Sequence, residues 1–133
     1  SAHLFCYMDM DDELYKANIL DHYRHPHHWG GFPDYNRKER GANPSCGDEL
    51  TVYMKWGSDG RVAQIGFEGS GCAISQAATS MLMDEVIGKT KDDIQALTPK
   101  NVDMLLGIHI GESREKCAIL GLQTLQSMVE PKN

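Results

Sequence analysis

The stretch from Leu50 to Gly88 constrains the fold of this chain more than any other. Leu50, Val52, Met54 and Trp56 alternate with Thr51, Tyr53 and Lys55, which is the period of a strand with one buried face. Gly57-Ser58-Asp59-Gly60 supplies a turn, and Arg61 to Glu68 returns with Ala63, Ile65 and Phe67 predicted on one face. Gly69-Ser70-Gly71 then makes a sharp transition into Cys72, and Ala73 to Ile87 reads as a helix closed by Gly88. An antiparallel hairpin feeding directly into a helix, in a chain whose flanking segments are helical, predicts a small antiparallel sheet packed on helices, an α+β fold.

The flanking segments supply those helices. Asp11 or Asp12 can cap a helix through Leu14, Tyr15, Ile19, His22 and Tyr23, whose spacing predicts a shared face. It must stop by His25, because Pro26 disfavours the α conformation in the residue before it. Thr90 and Asp93 form a capping-box pattern, and Thr98-Pro99 starts a second short helix that ends near Gly107. Ser113 can cap a final helix carrying Cys117 in its first turn, then Ile119, Leu120, Leu125 and Met128. His27 to Pro44, with the mostly basic run Arg37-Lys38-Glu39-Arg40, reads as a long ordered loop with at most one short strand. Loops of that length inside a domain usually serve a function.

At 133 residues the chain fits one domain. Residues 1–10 read as a flexible N-terminal segment and 11–133 as the folded unit. Its 41% hydrophobic and 24% charged content is that of a soluble globular protein, and no apolar run approaches the ~20 residues of a membrane span. The net charge of −6 argues against nucleic-acid and acidic-membrane partners. Four cysteines are too sparse for a disulfide scaffold, so free thiols in a reducing, cytoplasmic setting are expected.

Three of those thiols sit at element edges. Cys46 occupies the turn Asn43-Pro44-Ser45-Cys46-Gly47-Asp48, Cys72 opens a helix, and Cys117 follows Arg114 and Lys116. Helix N-termini and nearby cations favour thiolate, the form that binds soft metals and attacks sulfur. Any one of these cysteines taken alone is more often a small core residue. The glycines flanking Cys46 and Cys72 lower the weight of that reading, because they let the backbone bend around something bound. The spacings, 26 positions from Cys46 to Cys72 and 45 from Cys72 to Cys117, match neither a zinc finger nor a CxxC pair. A site would have to assemble from distant segments, with the Asp48 carboxylate as a fourth donor. Such a set suits tetrahedral zinc or a two-iron cluster.

The other metal-binding residue types carry weaker signals. His25, His27 and His28 read as solvated loop residues, with a metal-binding tract as the alternative. His22 reads as a hydrogen-bonded residue at the core edge, and Met81 and Met83 as packing. His109 lies eight residues before Cys117, but nothing in the sequence aims it, and Cys6 has no context that gives it a role.

With those residues in view, the chain resembles the IscU/SufU/NifU-type iron–sulfur cluster scaffold family. The matching segments are YKANILDHYRHPHHWG from Tyr15, Asn43 to Asp48, FEGSGCAISQAATSML from Phe67, and REKCAILGLQTL from Arg114. The resemblance implies a compact fold with a three-stranded antiparallel sheet. It also implies a scaffold rather than an enzyme, one that accepts persulfide sulfur from a PLP-dependent cysteine desulfurase and iron from a donor. The scaffold builds a [2Fe–2S] cluster and passes it to apo acceptor proteins. Carried over, Cys46, Asp48, Cys72 and Cys117 fall on the metal and cluster ligands, with Asn43, Pro44 and Gly47 shaping the first ligand loop. Cys117 and Cys46 are the persulfide-acceptor candidates. The wording at DHYRxP, GCAIS and Arg-x-Lys-Cys is similar to zinc-binding Suf-type sulfur acceptors, for which zinc-dependent sulfur transfer is the alternative function. The short spacing before Cys117 is similar to Isc-type scaffolds, although Lys116 stands where those usually carry His and their Leu-Pro-Pro-Val-Lys chaperone motif is absent.

Overall fold

The computed structural model describes residues 16–45, 47–108 and 112–130, so Cys46 and His109 lie outside the described residues. The N-terminal segment 1–10, with Cys6, and the expected helix positions Leu14 and Tyr15 also lie outside them. Helix α1 covers 16–24. Ile19 and His22 are buried on it, but Tyr23, expected on the same face, is 43% exposed. The helix closes with the His25 N–H donating to Asp21 O at 2.7 Å, just ahead of Pro26.

The sheet has the order β1-β2-β3, built from β1 (Arg37–Asn43), β2 (Asp48–Trp56) and β3 (Val62–Ser70), all antiparallel. The short strand allowed in the long loop is therefore seven residues of edge strand. Charged side chains at Arg37 to Arg40 are what an unpaired edge carries against further pairing, and they mask the strand period in the sequence. The other side of β3 is covered by the loop after α1. Phe67 N–H donates to His28 O at 3.0 Å, and Gly30 N–H donates to Phe67 O at 2.7 Å.

The alternation expected in β2 holds: Leu50, Val52 and Met54 are buried. At about 1.5–3 kcal/mol for each fully buried side chain, this face is a main hydrophobic contribution to the fold. In β3 the inward residues are Val62, Ile65 and Phe67, and Ala63 is exposed. The expected placement of Ala63 is corrected by a register shift opposite Lys55/Trp56, where Trp56 pairs with Val62 and Lys55 with Gln64. One extra residue in a bulge reverses the facing of those before it.

Helix α2 (Ala73–Val86) runs through the middle, and every residue from Ile74 to Met83 is buried. A helix covered on all sides shows little amphipathic period, so its sequence reads as uniformly small and apolar. Met81 and Met83 are packing residues, as expected. Helices α3 (Lys91–Gln95) and α4 (Pro99–Leu106) follow with the predicted caps at Thr90 and Thr98. Gly107 closes α4 in the left-handed conformation, φ 72°.

The final helix is interrupted. Helix α5 (Glu112–Ala118) ends at Ile119, and α6 (Leu120–Val129) continues from it. Cys117 is therefore near the C-terminal end of α5 and not in a first turn, which removes the helix-dipole argument for its thiolate. α6 packs on β1 and α2. At Gly41 of β1 a Cβ would stand 2.0 Å from Thr124 Oγ1, so this close approach needs glycine.

Candidate metal centre

Cys72 follows β3 through Gly71 and is the N-cap of α2, where its Sγ accepts from the Ser75 N–H at 3.4 Å. Its own N–H donates to Asp48 Oδ1 at 2.8 Å. Asp48 is the first residue of β2, paired with Asn43 of β1, and is only 2% exposed. A buried carboxylate is stable only with donors aimed at it, and the Cys72 amide is one. Its second oxygen, Oδ2, lies 3.8 Å from Cys72 Sγ. Atoms bound to one tetrahedral ion at about 2.0–2.3 Å stand roughly 3.3–3.8 Å apart. The thiol and the carboxylate are thus already at a separation that one ion can bridge.

Gly71 makes this arrangement possible. Its φ is +148°, and a Cβ there would stand 2.1 Å from Asp48 Oδ1. The GSG pattern before Cys72 was legible as a backbone bend, but the reason for its second glycine, Gly71, is a carboxylate from a different strand.

Cys117 completes the cluster from α5. Asp48, Cys72 and Cys117 each offer a ligand atom, all within 4.8 Å of one another. Three of the four sequence-predicted donors are therefore brought together, and the fourth, Cys46, lies outside the described residues. The expectation of free thiols holds for Cys72 and is corrected at Cys117, which is disulfide-bonded, though not to Cys72. A sulfur in a disulfide carries no thiolate charge, so Cys117 must be reduced before it can serve as a ligand. Cys117 is also only 5% exposed, whereas Cys72 is exposed.

Two polar atoms of the first turn of α2, Ser75 Oγ and Gln76 Nε2, are buried without a hydrogen-bond partner among the described residues. Gln76 also lines a groove of about 540 Å³ with Tyr23, Arg24, Trp29 and Gly71, the residue before Cys72. Nothing in the local sequence marks Gln76 for that place.

The histidines part from their expectation. His22 is buried and shares a hydrogen bond with Ser80 Oγ at 2.7 Å, the predicted core-edge role. Desolvation by burial holds its pKa below the ordinary histidine value, with the neighbouring His27 adding to the effect. His27 and His28 are exposed but not merely solvated, since both pair with Asp84. That partner is more than fifty residues away in the sequence, and no spacing rule could have found it.

Comparison with known proteins adds to this geometry. A family model described as NifU-like N-terminal domain matches residues 14–131. An iron–sulfur cluster assembly scaffold protein IscU of Thermotoga maritima is 34% identical over 133 residues, covering 88% of this chain and 93% of the relative. A zinc-dependent sulfurtransferase SufU of Bacillus subtilis is 32% identical over 135 residues, covering 89% and 90%. Among solved structures, a proposed iron–sulfur cluster assembly scaffold protein for the SUF system from Fervidobacterium islandicum AW-1 superposes with a TM-score of 0.72. It is 27% identical and covers 85% of this chain and 94% of its own. Among the described residues no helix is long and apolar enough to cross a membrane.

Proposed function

The chain belongs to the NifU-like N-terminal domain family, and from that premise we propose that it is an iron–sulfur cluster assembly scaffold. The observation that carries this reading is the convergence of Asp48, Cys72 and Cys117. In the proposal Cys46 joins them as the fourth ligand, and the [2Fe–2S] cluster is cargo, built on these donors and handed to apo acceptor proteins. Soft thiolates select zinc, copper(I) or iron–sulfur over magnesium and calcium. The carboxylate is a harder and weaker partner for such a metal, which leaves one side of the site easier to open for release. Asp48 is held in place by the Cys72 amide, so it can let go of a metal without having to reorganise.

Sulfur arrives by exchange with a PLP-dependent cysteine desulfurase. A thiolate of the scaffold attacks the terminal sulfur of the enzyme's persulfide, the enzyme's S–S bond breaks, and its cysteine leaves as thiolate. The acceptor candidates are Cys117 and Cys46. The burial of Cys117 and its disulfide weigh against it as the first acceptor until it is reduced and uncovered. Exposed Arg114 and Lys116 offer positive charge on the same helix.

The second reading is zinc-dependent sulfur transfer. It is supported by the mixed thiolate–carboxylate donor set, which fits a single tetrahedral zinc as well as a cluster. Resident zinc would be held by the same four residues, where it would stabilise thiolate at neutral pH. Anaerobic incubation of the reduced chain with ferrous iron, a desulfurase and cysteine separates the two. Visible absorption of a [2Fe–2S] cluster, with matching iron and sulfide content, is the expected result. Retention of zinc with sulfur delivered onward and no cluster formed would favour the second reading.

A further inference from the structure

A second group of ligand-type side chains lies at the other end of α2. Asp84 is twelve positions from Cys72 on this helix, about 18 Å along its axis at ~1.5 Å per residue, so the two groups are separate. His22 of α1, His27 of the loop that follows and Asp84 each offer a ligand atom within 4.8 Å of one another. His27 Nδ1 lies 2.6 Å from Asp84 Oδ2, and His28 Nε2 lies 2.9 Å from Asp84 Oδ1. One turn earlier on α2, Ser80 Oγ shares a hydrogen bond with His22 Nδ1 and accepts from the His27 N–H at 2.8 Å. The rings of His22 and His27 are 4.2 Å apart between centroids.

The backbone holds the loop side of this arrangement in place. His28 is the one described non-glycine residue with positive φ, at 60°, a conformation that costs a side-chain-bearing residue about 1–2 kcal/mol. The bonds from Phe67 N–H to His28 O and from Gly30 N–H to Phe67 O fix the loop to β3 in that shape. Ordinary solvated histidines need neither the strained backbone nor a shared carboxylate. Backbone outliers of this kind cluster at functional sites.

We propose that His22, His27 and Asp84 form a second metal site, for a divalent first-row transition ion, with His28 steadying the carboxylate through its other oxygen. Imidazole suits zinc, iron, nickel and copper, and two imidazoles with one carboxylate leave coordination positions open for water or an incoming ligand. An all-oxygen set, which magnesium and calcium require, is absent from this group. Loading replaces the His27–Asp84 hydrogen bond by a bond from each side chain to the ion, and both side chains are exposed enough to turn. Ser80 holds His22 from behind, the role that partners of ligating histidines commonly fill. The site contains no sulfur. It therefore binds whatever the redox state of Cys117, and the inference stands independently of cluster assembly.

That independence sets the test. The full chain in its oxidised form, with Cys117 in its disulfide, is titrated with Co²⁺ and followed by visible absorption and by NMR of the histidine rings. The expected result is binding of a single ion per chain without a sulfur-to-metal charge-transfer band, with the His22 and His27 ring signals broadened. Asp84→Asn and His27→Gln keep polar side chains of similar size, and each should weaken binding at least ~tenfold, since even partners behind the ligands are worth 10–100-fold in affinity. Circular dichroism identifies a variant that has not folded, and either variant alone suffices for the comparison. Absence of binding by the parent chain, a charge-transfer band from sulfur, or affinity unchanged in a folded variant would each overturn the proposal.

Discussion

Gly71→Ala is the substitution that tests the construction of the metal centre most sharply. The added Cβ would stand 2.1 Å from Asp48 Oδ1, 2.8 Å from Cγ and 3.0 Å from the Asp48 Cα, at a backbone φ of +148°. Bringing the nearest contact to ordinary distance requires the carboxylate to move by roughly 1 Å, given normal non-bonded separations of about 3.5 Å for carbon and somewhat less to oxygen. That movement breaks the bond from the Cys72 N–H to Oδ1, now 2.8 Å. A hydrogen bond to a carboxylate contributes about 1.5–3 kcal/mol, and a side chain at an unfavourable φ costs about 1–3 kcal/mol. The two effects overlap in part, so a loss of about 2–4 kcal/mol in unfolding free energy is expected. Urea denaturation of the reduced, metal-free protein measures it. The same measurement on Asp48→Ala and on the double variant isolates the clash, since Asp48→Ala removes Oδ1 and Cγ but leaves the φ penalty. The Gly71→Ala loss should shrink by at least ~1 kcal/mol in the Asp48→Ala background, the size of coupling expected of residues in contact. Strict additivity, or a Gly71→Ala protein as stable as the parent, would refute the reasoning.

Four further outcomes follow from the same structure. Thr90→Ala removes an N-cap that accepts from the Asp93 N–H at 3.2 Å and should cost about 1 kcal/mol in thermal or urea unfolding. The Thr90 backbone N–H, then its hydroxyl, hold the Asp93 carboxyl below its ordinary value of 3.8. A carboxyl depressed on folding adds stability above its unfolded value and loses it as pH falls through the folded one, so Asp93→Asn should flatten the stability curve below about pH 4. Asp48→Ala should lengthen the lifetime of a reconstituted [2Fe–2S] cluster, followed by decay of visible absorption in the presence of an acceptor, and faster loss would count against the carboxylate as the labile ligand. In single Cys→Ser variants incubated with desulfurase and cysteine, mass spectrometry should find sulfur on Cys117 only after prior reduction; persulfide abolished in Cys46→Ser but retained in Cys117→Ser assigns the acceptor role to Cys46.

The parts of the fold that depend on neighbours in sequence were legible. The hairpin period from Leu50 to Trp56, the capping box at Thr90, the helix start at Thr98-Pro99 and the Gly107 stop all stand as read. Where reading failed, a longer-range effect had the deciding influence. Edge-strand charges at Arg37 to Arg40 hid β1, and a bulge exchanged the facing of Val62 and Ala63. The break at Ile119 moved Cys117 from the start of a helix to the end of one. The site divides the same way. Cys72 at the head of α2 follows from the glycines before it, and the resemblance placed Asp48 and Cys117 with it. The Gly71–Asp48 contact and the bridging of His27 and His28 by Asp84 join segments that only the folded chain brings together, and local pattern carries no information about them.

The central claim is that Asp48, Cys72 and Cys117, with Cys46, bind one metal. Zinc K-edge X-ray absorption tests it most directly, on reduced protein loaded with a single equivalent. The protein should carry Asp84→Asn, so that the histidine group does not contribute. The account predicts a sulfur-dominated shell at about 2.3 Å with a lighter oxygen scatterer, losing one sulfur in Cys117→Ser and the oxygen in Asp48→Ala. A shell of nitrogen and oxygen alone, or one unchanged in both variants, would contradict it.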